Sequence, residues 1–279
     1  MTYLSDQAED RFVGGSDGER FHYRRFGNPG TVPLVLCMRL RGTVDHWDPK
    51  LLDALAAERE VIVFDNRGTA LSTGAAPTTI DGLAEGGVAF IRALGLRQVD
   101  VLGWSLGGIV AQGIALHAPE LVRRLVVAGS TPAGVPDQPP PPPRVGEILR
   151  HAVNDDEDYL YLFFPESDQG RAAGLESLRR LDVRLGRSHA AVQDSTYHAQ
   201  LGAIAAFGGY YDRLGELKLP VLVANGAHDV MINSYASYVM SKQLPDAKVV
   251  LYSDAGHGFL FQHIDDFAHE VNRFLGAAR

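Results

Sequence analysis

Five short segments of the chain are apolar almost throughout: PLVLCM (33–38), EVIVFD (60–65), QVDVLGW (98–104), LVRRLVVAG (121–129) and PVLVANG (220–226). A strand with one wet face alternates apolar and polar side chains, whereas a strand that stays apolar has both faces covered. Between and after these runs lie segments of helical spacing: WDPKLLDALAAE (47–58), IDGLAEGGVAFIRALG (80–95), SLGGIVAQGIALHA (105–118) and SYASYVMSKQL (234–244). RFHYRRFG (20–27) and AKVVLY (247–252) read as further strands, and DDFAHEVNRFLGAA (265–278) as a terminal helix. The alternation specifies an α/β fold: a doubly wound, mostly parallel sheet of about eight strands, with helices on both faces. Sheets of this kind bind ligands at the carboxyl ends of their strands.

The rhythm breaks at TPAGVPDQPPPPPR (131–144), where five consecutive prolines at 139–143 exclude helix interior and central strand. From there to about residue 216 the pattern is mostly helical: VGEILRHAV, DEDYLYLFF, AGLESLRRLDVRLG and HAQLGAIAAFGG. The expected organisation is therefore a core in two parts, 1–131 and 217–279, interrupted by a helical cap at 132–216.

Composition narrows the function classes. The 279 residues suffice for one large core carrying an insertion, and the formal charge of -8 argues against nucleic acid and anionic membrane as partners. No basic cluster with interleaved aromatics appears. The single cysteine, Cys37, lies in an apolar run and excludes a disulfide framework. No apolar stretch approaches the roughly 18 residues of a membrane span, and residues 1–12 carry acids where a signal peptide needs a basic start. The expectation is a cytoplasmic protein.

GWSLGG (103–108) puts one serine between glycines at a junction of strand and helix. Alone, such a serine is a common helix cap. In this context the sharp turn also holds the Ser105 hydroxyl clear of the strand end, and the N–H of Leu106 at the helix start can face a developing oxyanion. ANGAHDVM (224–231) places Asp229 after a later strand, and DAGHGF (254–259) places His257 after the last one. Ser105, Asp229 and His257 thus each follow a strand, in an order that lets His257 act as base and Asp229 orient it.

With these motifs the chain resembles an α/β-hydrolase fold protein over nearly its whole length. GWSLGG is similar to the family's nucleophile elbow, NGAHD and DAGHGF to its acid and histidine loops, and FDNRGTALS (64–72) to its D-x-R-G-x-G-x-S turn, with Ala70 in place of the last glycine. In LCMRLRGTVDHWDP (36–49), Met38 and Arg39 stand where relatives carry His-Gly. The resemblance then makes Leu40 the second oxyanion donor, beside Leu106. Arg39 or Arg41 would contact an acidic or carbonyl group of the substrate or, as the favoured reading, pair with the acidic surface.

The resemblance implies a cofactor-free serine hydrolase acting on a carboxylic ester or lactone through an acyl-enzyme. Aromatics of the cap, among them Tyr161, Phe164, Phe207 and Tyr210, would wall a site for a medium-sized, mostly apolar small molecule. His228 beside Asp229, and His263 with Asp265, Asp266 and His269, lack zinc-site spacing, so no metal is expected. Asp254 stands too close to His257 in sequence to orient it. Trp104 should pack behind the elbow. The same three residues would also serve an aminopeptidase using acids of NDDEDY (154–159), a thioesterase or a perhydrolase. A receptor-like binder that keeps the fold, and a homo-oligomer, are further possibilities.

Overall fold

The computed structural model describes residues 2–16 and 18–277; Met1, Asp17, Ala278 and Arg279 lie outside it, so the last position of the expected terminal helix is not described. Eight strands form one sheet: β1 (Arg11–Gly14), β2 (Arg20–Gly27), β3 (Leu34–Cys37), β4 (Glu60–Phe64), β5 (Val99–Trp104), β6 (Val122–Ala128), β7 (Val221–Gly226) and β8 (Ala247–Tyr252). Their spatial order is β1-β2-β4-β3-β5-β6-β7-β8. The pairs β1–β2 and β2–β4 are antiparallel and every other pair is parallel. The expected fold class holds. β1, which has no apolar run of its own, is a short edge strand.

Strand alternation divides the interior into two cores. Val35, Val101, Leu125, Val127 and Val223 face one, with α3 (Ile80–Ala93) and α4 (Leu106–His117) packed over them. Leu36, Leu102, Trp104, Val126 and Leu222 face the other, beneath α2 (Pro49–Ala56) and α11 (Ile264–Gly276). The remaining short helices are α1 (Leu4–Gln7), α9 (Tyr235–Gln243) and α10 (Phe259–Gln262). Cys37 is buried in the first core, and burial pushes its thiol up to about 12, so it stays a thiol. No helix of the described residues is long and apolar enough to cross a membrane.

Between β6 and β7 the chain forms α5 (Pro143–Ile148), α6 (Asp156–Phe163), α7 (Asp168–Leu185) and α8 (Asp194–Ala206). The last proline of the run, Pro143, is the first residue of α5, the one helical position where the missing N–H costs nothing. α7 is clamped to the sheet by charge. Arg180 and Ser177 bond Asp48, whose side chain also caps α2, and Arg184 and Ser188 bond Asp45. Asp45 also receives Arg24 from β2. Ala70 adopts φ 51°, the left-handed conformation that glycine would hold without strain.

Burial would push the Asp45 carboxyl up, but Ser188, Arg24 and Arg184 outweigh it and hold the group down at about 2. A carboxyl lowered on folding contributes stability above its unfolded pKa of roughly 4 and loses it as pH falls toward the folded value. Acid unfolding followed by circular dichroism should therefore steepen between about pH 4 and 2. In Asp45→Asn that steepening should diminish, and the protein should be less stable at neutral pH.

Candidate active site

Ser105 occupies the turn between β5 and α4 with φ 58° and ψ −125°, a combination that L-residues rarely hold. The turn is fixed from both sides: Ser105 N–H donates to the Ala128 carbonyl at 3.0 Å, and Ser130 Oγ donates to the Ser105 carbonyl at 2.7 Å. The flanking glycines are required by contact. A Cβ on Gly103 would lie 2.0 Å from the Gly107 carbonyl oxygen, and one on Gly107 would lie 2.0 Å from that of Cys37. The start of α4 is thereby pressed onto the exit of β3.

That exit is the turn of Arg39 to Gly42, closed by Gly42 N–H donating to the Arg39 carbonyl, with Arg41 at φ 55°. No hydrogen bond of the described residues engages the N–H of Leu40 or of Leu106. The latter begins a helix, where first-turn amides have no internal acceptor. Both are available to a developing negative charge.

Asp229 and His257 come together at the ends of β7 and β8. His257 Nδ1 lies 2.7 Å from Asp229 Oδ2, and both side chains are fully buried. Asp229 Oδ1 accepts from the N–H groups of Met231 at 2.8 Å and Ile232 at 2.9 Å. A carboxylate held by two amides is acceptor-only, so it fixes the proton on Nδ1 and leaves Nε2 as the basic nitrogen. Nε2 is buried and makes no hydrogen bond. The ring stacks on Phe163 at 5.6 Å, and the His257 carbonyl accepts from Trp104 Nε1 at 3.1 Å. Trp104, expected behind the serine's turn, is fully buried and packs against the histidine. Asp254 is engaged elsewhere, 2.9 Å from His263 Nε2.

Ser105 opens on a cavity of about 70 Å³ lined by Arg39, Leu40, Arg41, Leu149, Asn154, Tyr159, Leu162, Phe163, Tyr197 and Met231. By a measure in which one water needs some 10–15 Å³, this is room for roughly five or six waters. The aromatics expected from the sequence must be corrected. Tyr161 and Phe164 line not this cavity but an open cleft of about 880 Å³, with Pro140–Pro142, Asp254, His228 and Asp229. Phe207 and Tyr210 pack edge-on against each other in the first core, with Tyr210 Oη donating to Asp81 at 2.7 Å. Helical spacing held the better signal: Tyr159, Leu162 and Phe163 stand at i, i+3 and i+4 of α6, on one face, and Tyr161 is turned off it.

The favoured reading of the two arginines is also corrected. Neither is in a described ion pair. Arg41 donates to the carbonyls of His151 and Ala152 and to Asn154 Oδ1, with its guanidinium over the Tyr197 ring at 4.5 Å. Arg39 is partly buried, with its guanidinium beside Trp104 and Phe163. The acids of residues 154–159 face away: Asp155 caps α6, Glu157 pairs with Arg171 and Asp158 with His151. Among the described residues no group of three or more His, Cys, Asp or Glu could hold a metal ion. His263 is spent on Asp254 and Asp266 accepts from Tyr252.

A family model described as alpha/beta hydrolase fold matches residues 32–264. Among solved structures, an alpha/beta hydrolase fold protein from Chitinophaga pinensis superposes with a TM-score of 0.90 at 33% identity, covering 98% of this chain and 99% of that one. A protein named carbamate hydrolase RutD, from Rhizobium rhizogenes, is 26% identical over 266 residues, 92% of this chain and 97% of its own. A pimeloyl-acyl-carrier-protein methyl ester esterase from Aeromonas hydrophila is 26% identical over 257 residues, 90% of this chain and 98% of its own.

The backbone of Ser105 stores strain that only glycine would release. Ser105→Gly should therefore be more stable than Ser105→Ala by roughly 1 kcal/mol, read from urea unfolding curves of the two variants. Equal midpoints would mean that the turn is unstrained.

Proposed function

This chain belongs to the alpha/beta hydrolase fold family, and from that premise we propose that it is a serine hydrolase that cleaves a carboxylic ester or lactone through an acyl-enzyme. The observation that carries the reading is the buried Asp229–His257 pair with its free Nε2, set against a serine held at positive φ on a strand–helix turn. In this mechanism Ser105 Oγ attacks the carbonyl and His257 Nε2 takes its proton. The N–H groups of Leu40 and Leu106 hold the oxyanion, and His257 returns the proton to the leaving alcohol. Water activated by the same nitrogen then releases the acid and restores the serine. Asp229 stays ionised throughout and stabilises the imidazolium.

The helices between β6 and β7 act as the cap in this reading, closing the cavity with Tyr159, Leu162 and Phe163. Its size narrows the expectation of a medium-sized apolar substrate. The group that enters beside Ser105 is short, and any larger portion extends outward. An aminopeptidase would need a free carboxylate to hold the substrate's amine. The described cavity lining offers two arginines and no acid, which disfavours an ammonium group there.

A fluorophosphonate probe should label the wild-type protein and leave Ser105→Ala unlabelled. Turnover of short-chain nitrophenyl esters should vanish in Ser105→Ala and fall on the order of 10⁴-fold in Asp229→Asn, where the imidazole takes the wrong tautomer. Labelling that persists in Ser105→Ala would sink the proposal.

A further inference from the structure

Arg39 is a charged residue of the cavity wall that this mechanism does not use. Its Cζ lies 5.3 Å from the centre of the Phe163 ring and 5.7 Å from that of Trp104. One terminal nitrogen donates to the Leu40 carbonyl at 2.8 Å, whereas Nε is buried with no acceptor. Burial, opposed weakly by Tyr159 and joined by the charge of Arg41, lowers its pKa to about 10, so it remains a cation at neutral pH.

The carboxylates of the surrounding segments are already engaged. Asp45 is held by Arg24 and Arg184, Asp48 by Arg180, Asp65 by His22, Asp158 by His151 and Asp229 by His257. Of the other titratable neighbours, His46 is kept neutral by burial and by Arg39 itself, with its pKa lowered to about 3, and burial pushes the Tyr159 hydroxyl up to about 12, so neither supplies a negative charge. Arg39 is only partly buried, but two aromatic rings and one carbonyl replace only part of the hydration its guanidinium loses, and an anion compensates such a charge best. Arg39 is in no ion pair among the described residues, and it lines both the cavity that Ser105 faces and a smaller one of about 30 Å³ on the Asp65 side; of the two, only the first also presents Ser105 to a substrate's anion.

We infer that Arg39 is a specificity-determining residue that binds a carboxylate on the acyl portion of the substrate, so that the preferred substrates are half-esters of short dicarboxylic acids or small lactones that carry a free carboxylate. The inference rests on the serine-hydrolase reading for the reaction, but the anion site stands on its own geometry. Ester hydrolysis then proceeds with the distal carboxylate docked on the guanidinium and the scissile carbonyl at Ser105. The cavity volume restricts the acyl chain to a few carbons.

The test compares monoethyl glutarate with its neutral isostere, ethyl 4-carbamoylbutanoate, following ethanol release. Wild type should prefer the half-ester by roughly 10- to 100-fold in kcat/KM, the range of a charge-assisted hydrogen bond. That ratio should fall close to one in Arg39→Gln and recover in part in Arg39→Lys. Arg39→Met, which keeps the apolar stem against Trp104 and Phe163, guards against loss of fold. A ratio near one in wild type, or one that survives in the Arg39 variants, overturns the inference. If neither ester turns over, binding decides. Glutarate should saturably change the tryptophan fluorescence of Ser105→Ala, the neutral diamide glutaramide should do so far more weakly, and Arg39→Gln should abolish the effect. Glutarate binding without turnover counts against the hydrolase reading alone, and absence of both overturns the anion site.

Discussion

The molecule is organised around one close backbone contact, where the first turn of α4 meets the last residues of β3. The missing side chain of Gly107 lets the helix approach until a Cβ would stand 2.0 Å from the Cys37 carbonyl oxygen. This contact sets how Ser105 is presented and which loop lies opposite it. Because β3 and β5 are parallel neighbours, with Cys37 opposite Gly103, both chains leave the sheet at the same level. The amides of Leu40 and Leu106 are therefore brought to one side without any side chain being enlisted. A bulkier elbow would push the start of α4 away from the exit of β3 as well as strain the turn.

Asp229 and His257 reach the same edge by the same logic. β7 and β8 are parallel to β6, so their carboxyl ends deliver their loops where β5 delivers Ser105. That is why these positions were legible in the sequence: strand, then turn, then a polar residue is a local pattern, and the parallel sheet converts local order into proximity. The strands themselves were legible because burial on both faces leaves nothing but apolar residues. β1 was not, since four residues paired antiparallel at an edge carry no such pattern.

The cavity wall was read less well. An aromatic residue in a helical stretch packs inward or faces a ligand depending on which neighbour covers it, and composition does not contain that information. Phe207 and Tyr210 were drawn into the first core by Asp81 and by each other. Arg39 failed for the opposite reason. A single arginine in a glycine position reads as a surface residue, because the rings that enclose it come from β5 and α6, remote in the chain. Its departure from the usual His-Gly was visible, but its depth was not.

The loop that carries His257 is tied directly to the inserted helices, for Gly258 N–H donates to the Phe163 carbonyl at 2.6 Å and the Phe163 ring stacks on the imidazole. Phe163 is also a wall of the cavity. Wall and base are consequently one mechanical unit. In the proposed mechanism a displacement of α6 that stretched that bond would also draw the Phe163 ring off the imidazole that serves as base.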